Sequence, residues 1–181
     1  MTIPRSGDGD NASRYAFAPR PYTTPDGVPL RLRTVAEEDL AELHRLDREV
    51  FRKHAYPYFV LRQFYDLYQD ELFVLDDDGD FRGYVLAGTG PDRRRSWILG
   101  LGIDRRWRRQ GLGRRLMGEV LERLRARGVR EVRLGVEPAN RTAIDLYTSL
   151  GFVRVERRAD YFGVGADRLL MTLTLVEPDT P

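Results

Sequence analysis

A mixed α/β fold is predicted for this 181-residue sequence from three observations. Short segments in which apolar and polar residues alternate, as in strands, are interspersed with amphipathic segments that have helical spacing. An Asp-Gly turn at 78–79 joins two apolar runs, which indicates an antiparallel hairpin. A glycine-rich turn at 111–113 separates a strand from a long helix. The predicted order is β-αα-β-β-β-α-β-α-β-β, in which a mostly antiparallel central sheet is flanked by helices.

The first half of the chain predicts one edge strand, two helices and a hairpin. An alternating segment before residue 35 indicates the strand, and Pro57 divides the helical region that follows into two. Apolar runs on both sides of the Asp-Gly turn form the hairpin. The expected elements are strand 28–34, helices 36–51 and 59–68, and strands 71–75 and 81–88.

The second half predicts alternating strands and helices that end in another hairpin. Gly100 and Gly102 lie inside a strand, where glycine indicates a bulge or a closely approaching ligand. The next helix carries leucines on one face and should pack against the sheet, and Asn140 is expected to cap the last helix. The expected elements are strand 96–103, helix 112–127, strand 129–137, helix 141–150 and strands 152–157 and 169–175.

Composition indicates one folded domain with two tails. Residues 1–27 are rich in Pro, Gly, Ser, Thr and Asp and are expected to be disordered, with the domain at 28–176 and a short tail at 177–181. No apolar run is long enough to cross a membrane and no apolar signal core follows Met1, so a cytoplasmic protein without a membrane partner is expected. The lack of cysteine excludes disulfides and a cysteine nucleophile. Two histidines alone, at 44 and 54, predict no metal site.

Charge is segregated along the chain although the net charge is only +2. Residues 104–133 hold eleven arginines and four acidic residues, and they surround the glycine-rich turn. Residues 35–80 hold thirteen acidic and five basic residues, so their field would attract a cationic substrate.

The turn from Arg108 to Arg114 is a candidate anion site. N–H groups at a helix start lack partners within the helix, the helix dipole favours negative charge there, and glycine lets the backbone come close. A cofactor pyrophosphate would fit this turn. The Walker motif and the third glycine of a dinucleotide fingerprint are both missing, so those two classes of site are not indicated. A solvated basic loop is the alternative.

Two motifs follow one another, separated by a helix and a strand. The first is Ile103-x-x-x-Trp107-Arg108-x-x-Gly111-x-Gly113, and the second is Asn140-x-x-Ala143-Ile144-x-x-Tyr147-x-x-Leu150-Gly151-Phe152. Together they resemble the GNAT superfamily of N-acetyltransferases, and most closely its ribosomal-protein N-terminal (alanine) acetyltransferase group. The resemblance covers 30–175. One departure is Arg105, where the family often has proline, and this changes the turn without removing a donor.

The resemblance implies acetyl-CoA as the acyl donor and no metal. The strand before the turn would pair with the pantetheine arm, and the turn would wrap the pyrophosphate. Tyr147 would face the sulfur as general acid, since a tyrosine hydroxyl with a reference pKa of about 10 can protonate a thiolate. A core aromatic at helical spacing is the alternative for Tyr147. The cofactor-binding residues expected are Leu101, Ile103, Arg108, Arg109, Gln110, Gly111, Leu112, Gly113, Arg114 and Asn140.

Two aromatic segments resemble those that line the peptide site of the same group. Tyr56 and Tyr58 flank a proline between the first two helices, and Tyr161 and Phe162 precede the last strand. They are expected to contact the acceptor, with ordinary aromatic packing as the alternative.

Three residues are candidates for the general base. Related enzymes often carry glutamate where this chain has Gly135, and Glu137 lies two residues on, on the same strand face. Glu137 is a candidate base acting through water, or a surface acid. His44 and His54 are alternatives.

Three functions follow from these features. The favoured one is acetyl-CoA-dependent transfer to an amine at a peptide or protein N-terminus, by direct attack on the thioester. The second is the same reaction on a small-molecule amine. The third is a non-catalytic CoA-binding or nucleic-acid-binding domain, and nucleic acid is disfavoured because Trp107 is the lone aromatic among the arginines. A monomer or homodimer is expected.

Overall fold

One eight-stranded sheet organises residues 17–175, which are the residues that the computed structural model describes. The strands are β1 Arg20–Thr23, β2 Pro29–Thr34, β3 Leu72–Asp77, β4 Asp80–Thr89, β5 Arg95–Ile103, β6 Glu131–Val136, β7 Val153–Arg158 and β8 Arg168–Thr174, and the helices are α1 Leu40–Phe51, α2 Tyr58–Tyr68, α3 Leu112–Ala126 and α4 Arg141–Ser149. Their spatial order is β1-β2-β3-β4-β5-β6-β8-β7. Only β5 and β6 pair in parallel, so the predicted mixed, mostly antiparallel sheet is confirmed.

Strand β1 lies within the stretch that was expected to be disordered, and that expectation is wrong for residues 20–23. The strand pairs with β2 in antiparallel register. Beside it, the ring of Phe17 meets that of Phe73 edge-on at 5.1 Å between centroids. Composition does not reveal these distant partners, which supply the ordering free energy. Residues 1–16, and the expected tail at 177–181, lie outside the described residues.

The sheet is covered by helices on both faces, and each face has its own core. Helices α3 and α4 pack on one face through the apolar stripe that the sequence predicted, as in Leu116 and Val120. Helices α1 and α2 cover the other face, where Leu43 and Leu61 pack against β3 and β4. Within residues 17–175, no helix has the length and apolar character needed to cross a membrane.

Strands β5 and β6 pair over only part of their length. Their register runs from Arg95 opposite Glu131 to Ile98 opposite Leu134 and then stops, although β5 continues to Ile103. At the same point the register between β5 and β4 shifts, and Leu99 is the extra residue of a bulge. The sheet therefore opens into a wedge between β5 and β6, closed at Ile98 and open toward the start of α3.

Gly100 directly follows the bulge residue, so the expected bulge is confirmed there, whereas Gly102 lies in regular register with Tyr84; both glycines also accommodate a side chain. A Cβ at Gly100 would lie 2.8 Å from the hydroxyl oxygen of Tyr84, and one at Gly102 would lie 2.7 Å from the same ring. The close neighbour on this face of β5 is therefore the fully buried Tyr84.

Candidate functional site

The glycine-rich turn lies at the open end of the wedge and presents backbone N–H groups. Gly111 has a positive φ of 79° and is the N-cap residue of α3, so a left-handed conformation is required there. The first bond of the helix runs from the N–H of Arg115 to the carbonyl of Gly111, at 3.0 Å. The N–H groups of residues 112–114 precede that bond and are available to an anion.

Three contacts with β1 and α4 hold the turn in place. The hydroxyl of Tyr22 in β1 donates to the carbonyl of Gln110 at 3.5 Å. The guanidinium of Arg114 donates to Ser149 Oγ at the end of α4, at 2.6 Å. A Cβ at Gly113 would lie 3.2 Å from the side chain of Leu146, so glycine allows α4 to approach closely. The turn is thus fixed before any ligand binds.

Helix α4 forms another wall of the site. Asn140 caps it as predicted, because its side-chain oxygen accepts from the N–H of Ala143 at 3.1 Å. Asn140 is exposed, and its amide NH₂ remains a potential donor.

Tyr147 projects from α4 into the core. It is 7% exposed and packs against Phe152, with ring centroids 5.8 Å apart. Burial raises the pKa of Tyr147 to about 12, so the phenol is protonated at neutral pH. Burial and the neighbouring Asp47 hold the pKa of Tyr84 far above its usual value, and Tyr147 adds to that rise from the other face of the sheet.

A buried polar network, which sequence reasoning missed, lies on the opposite face. Asp47 is completely buried, and its carboxylate accepts from the hydroxyl of Tyr84 at 2.5 Å and from the N–H of Tyr56 at 2.7 Å. The hydroxyl of Tyr56 in turn donates to the carbonyl of Leu99 at 2.8 Å. Burial raises the pKa of Asp47, although both hydrogen bonds oppose that rise. The available signal was a carboxylate on the apolar face of α1, beside Leu46.

A pocket of about 400 Å³ lies beside the end of β6, between three connecting segments. These are the α1–α2 connection, the β6–α4 loop and the β7–β8 hairpin. Glu137 and His54 both line the pocket, whereas His44 packs against the ring of Tyr58. Among residues 17–175, no three acidic or histidine side chains are placed to share a metal ion. The lining is formed by His54, Glu137, Pro138, Ala139, Arg157, Gly165, Ala166, Asp167 and Arg168.

Comparison with known proteins identifies the family to which the fold and the two motifs belong. Residues 38–152 match the sequence profile of the acetyltransferase (GNAT) family. The chain belongs to this family. The resemblance stated from the two motifs is therefore confirmed.

Relatives of this GNAT chain include acetyltransferases of protein N-termini. An N-alpha-acetyltransferase of Sulfurisphaera tokodaii is 25% identical over 160 residues, which span 82% of this chain and 95% of the relative. The [ribosomal protein bS18]-alanine N-acetyltransferase of Escherichia coli K12 is 32% identical over 90 residues, which span 50% of this chain and 60% of the relative. A structure of the NatC complex bound to Gag peptide and CoA superposes with a TM-score of 0.73 at 21% identity, covering 81% of this chain and 99% of that chain, and it supports the fold.

The four aromatic residues expected at the acceptor site of this GNAT chain are placed unequally. The hydroxyl of Tyr56 donates a hydrogen bond to the carbonyl of Leu99, so Tyr56 supports β5. Tyr58 is 47% exposed at the start of α2. Tyr161 and Phe162 pack against each other on the β7–β8 hairpin at 5.0 Å, and the guanidinium of a pocket residue, Arg168, lies over Phe162. Their contact with an acceptor stays a prediction.

Proposed function

We propose that this GNAT chain transfers the acetyl group of acetyl-CoA to the α-amino group at a peptide or protein N-terminus. The observation that carries the proposal is the wedge between β5 and β6, whose open end meets the N–H groups of the glycine-rich turn. Membership of the acetyltransferase family and the names of its relatives support both the donor and the acceptor.

The donor would occupy the wedge lengthwise. The N–H groups of residues 112–114 would bind the pyrophosphate, and the exposed Arg108 and Arg109 supply positive charge beside it. The backbone of Leu101 and Ile103 lies beyond the last β6 partner, so it can pair with the amides of the pantetheine arm. Asn140 is a further donor to that arm. The four steps along β5 from Ile103 back to Leu99 span about 13 Å, which brings the thioester toward the closed end.

The chemistry needs three things besides binding. The acceptor amine must be deprotonated, the thioester carbonyl must be polarised, and the thiolate that leaves must be protonated. The amine nitrogen forms the new bond to the acetyl carbon and the carbon–sulfur bond breaks, so no protein nucleophile takes part. Tyr147 is the proposed acid because its hydroxyl carries a proton at neutral pH. Glu137 and His54, which share the pocket, are the candidate bases.

The polar pocket beside β6 is the proposed entrance for the acceptor. It lies next to α4, which carries Tyr147, and three connecting segments line it rather than one enclosing loop. Such an opening suits a chain end that continues into solvent. Asp167 is paired with Arg157 at 2.9 Å, so Glu137 is the acidic group of this lining that is proposed to face the amine.

The test measures thiol release from acetyl-CoA with a library of tetrapeptides and small amines. Tetrapeptides with a free α-amine should react, and the same peptides with a blocked N-terminus should not. Mass spectrometry locates the acetyl group. Reaction of small amines alone would replace the peptide acceptor by a small-molecule one, and no thiol release with either library would overturn the proposed transfer.

A further inference from the structure

The bulge residue Leu99 lies at the closed end of the wedge, where the sheet holds the backbone least. Ile98 is the last β5 residue with a partner on β6, and the bulge leaves Leu99 without a partner in the register of β4. A bulge breaks the regular ladder and turns its peptide groups out of line. Some other contact must therefore set the orientation of the Leu99–Gly100 peptide.

Tyr56 provides that contact from the face of the sheet that α1 and α2 cover. Its hydroxyl donates to the carbonyl of Leu99 at 2.8 Å, across 43 positions of sequence. Its ring meets Phe64 edge-on at 5.2 Å, and its own N–H donates to Asp47 at 2.7 Å. The side chain is thus fixed at both ends, which is more than simple packing of a loop aromatic would require.

Asp47 links Tyr56 to a second support of the same peptide. Its other carboxylate oxygen accepts from Tyr84 at 2.5 Å, and the Tyr84 ring lies directly against Gly100. Asp47 and Tyr84 are both fully buried. A buried carboxylate is costly unless it is hydrogen-bonded, so the cluster has few alternative arrangements. The Leu99–Gly100 peptide is therefore held by Tyr56 at its carbonyl and by Tyr84 at its glycine.

We propose that Asp47 and Tyr56 are positioning residues that fix the Leu99–Gly100 peptide and, through it, the carbonyl of the thioester. The N–H of Asp104 donates to the carbonyl of Arg82, so in the regular register the N–H groups of Gly102 and Gly100 face β4 and that of Leu101 faces the wedge. Holding the planar Leu99–Gly100 peptide therefore fixes the direction of the next peptide, which carries the Leu101 N–H. A preoriented N–H at the closed end of the wedge can stabilise negative charge on the thioester oxygen. This inference rests on the proposed function, because it assumes acetyl-CoA in the wedge.

The decisive variant is Tyr56→Phe, which removes one hydroxyl and keeps the ring. The matched control is Tyr68→Phe, since Tyr68 lies in the same aromatic cluster and its hydroxyl makes no hydrogen bond within residues 17–175. We expect Tyr56→Phe to lower kcat about 10- to 100-fold, because a misplaced donor loses much of the stabilisation of a developing oxyanion. The KM for acetyl-CoA should stay within about twofold, since this peptide is not needed for pyrophosphate binding. The control should match wild type.

A spectroscopic measurement separates positioning from a general loss of structure. Acetyl-CoA labelled with carbon-13 at the acetyl carbonyl is bound to each variant, and the carbonyl resonance is recorded without an acceptor. In Tyr56→Phe the resonance should move toward that of free acetyl-CoA, and in Tyr68→Phe it should not. Asp47→Asn, which cannot accept both hydrogen bonds, should reproduce the shift of Tyr56→Phe.

The outcomes of the two hypotheses are distinct. If Tyr56→Phe retains the wild-type kcat and carbonyl resonance, the positioning role is wrong while the acetyltransferase function stands. If wild type binds labelled acetyl-CoA but acetylates no amine, the proposed function fails, and the resonance still decides the role of Tyr56. Equal loss of kcat in Tyr56→Phe and Tyr68→Phe would assign both tyrosines to packing and overturn the inference.

Discussion

At the scale of single residues, the site depends on side chains whose surroundings fix one protonation state or one contact. Tyr147 is the clearest example, because burial raises its pKa to about 12 and keeps its proton in place. A buried thiolate would also be harder to form, since burial raises the pKa of any acid that becomes negative. The raised pKa of Tyr147 keeps the phenol protonated but makes it a weaker acid, whereas a raised pKa of the thiol would favour the proposed proton transfer to the leaving sulfur.

Tyr147→Phe should lower kcat by roughly 10²-fold or more while acetyl-CoA affinity is retained, because the ring still packs on Phe152. In wild type, the pH profile of kcat should show no falling limb below about pH 10, since the acid loses its proton only near its raised pKa. Steady-state kinetics and calorimetric titration measure both quantities. Unchanged turnover would remove Tyr147 from the mechanism.

Gly100→Ala tests how tightly β5 and Tyr84 are packed. The added methyl group would lie 2.8 Å from the Tyr84 hydroxyl oxygen and must displace a fully buried ring, so unfolding free energy should fall by about 1–3 kcal/mol. Gly118→Ala is the control, because nothing lies within 4 Å of its added Cβ in the exposed middle of α3, and it should stabilise by about 0.5–1 kcal/mol. Urea denaturation compares the two. Equal stability of both variants would contradict this packing.

At the scale of secondary-structure elements, strand β1 couples the start of the described chain to the glycine-rich turn. Arg20 pairs with the buried Glu119 of α3 at 3.5 Å, and the guanidinium of Arg115 lies over the ring of Tyr22 at 5.9 Å. The Tyr22 hydroxyl reaches Gln110 in the turn itself. An edge strand thereby supports the backbone that the pyrophosphate would contact.

Tyr22→Ala should therefore raise the KM for acetyl-CoA severalfold and leave the KM of the acceptor unchanged. Tyr22→Phe keeps the ring beneath Arg115 and loses only the 3.5 Å hydrogen bond, so its effect should be smaller. Initial-rate measurements at varied acetyl-CoA distinguish the two variants. An equal change in both Michaelis constants would indicate a general loss of structure instead.

At the scale of the whole molecule, ion pairs between the neighbouring strands β2 and β3 set the response to acid. Asp76 is 1% exposed and accepts from Arg31 at 2.6 Å and from Arg33 at 2.8 Å. Burial alone would raise the pKa of Asp76, but these hydrogen bonds outweigh it and hold the pKa below its usual range. The stabilisation is therefore present above the unfolded-state pKa of about 3.9 and is lost as pH falls through the folded-state pKa.

Asp76→Asn should lower the unfolding free energy at pH 7 by about 3–5 kcal/mol, because it leaves two arginines without their shared carboxylate. The variant should also lose less stability than wild type when the pH falls from 5 to 2. Asp66→Asn, which breaks an exposed pair with Arg62, is the control and should change stability by less than about 1 kcal/mol. Chemical denaturation at several pH values checks this, and parallel acid profiles for wild type and Asp76→Asn would contradict it.

Much of the fold was predictable because its signals are local. The stripe of α3, the cap at Asn140 and the hairpin around Gly79 each depend on residues within a few positions, and all three are present. Strand β1 was missed because its four residues have no apolar alternation of their own. It is a strand through its partners in β2, and sequence pattern carries no information about such pairing.

The candidate site also has one part that was predictable from local sequence and one part that was not. The sequence by itself determined the family and the glycine-rich turn that starts α3, since a left-handed Gly111 and a helix start are properties of consecutive residues. Tertiary structure decided what surrounds the closed end of the wedge, where the thioester is proposed to lie. Tyr56 reaches Leu99 across 43 positions and Asp47 reaches Tyr84 across 37, and only the folded sheet brings these pairs together. A hydrogen bond of this kind depends on distance in space, which the spacing of residues along the chain does not fix.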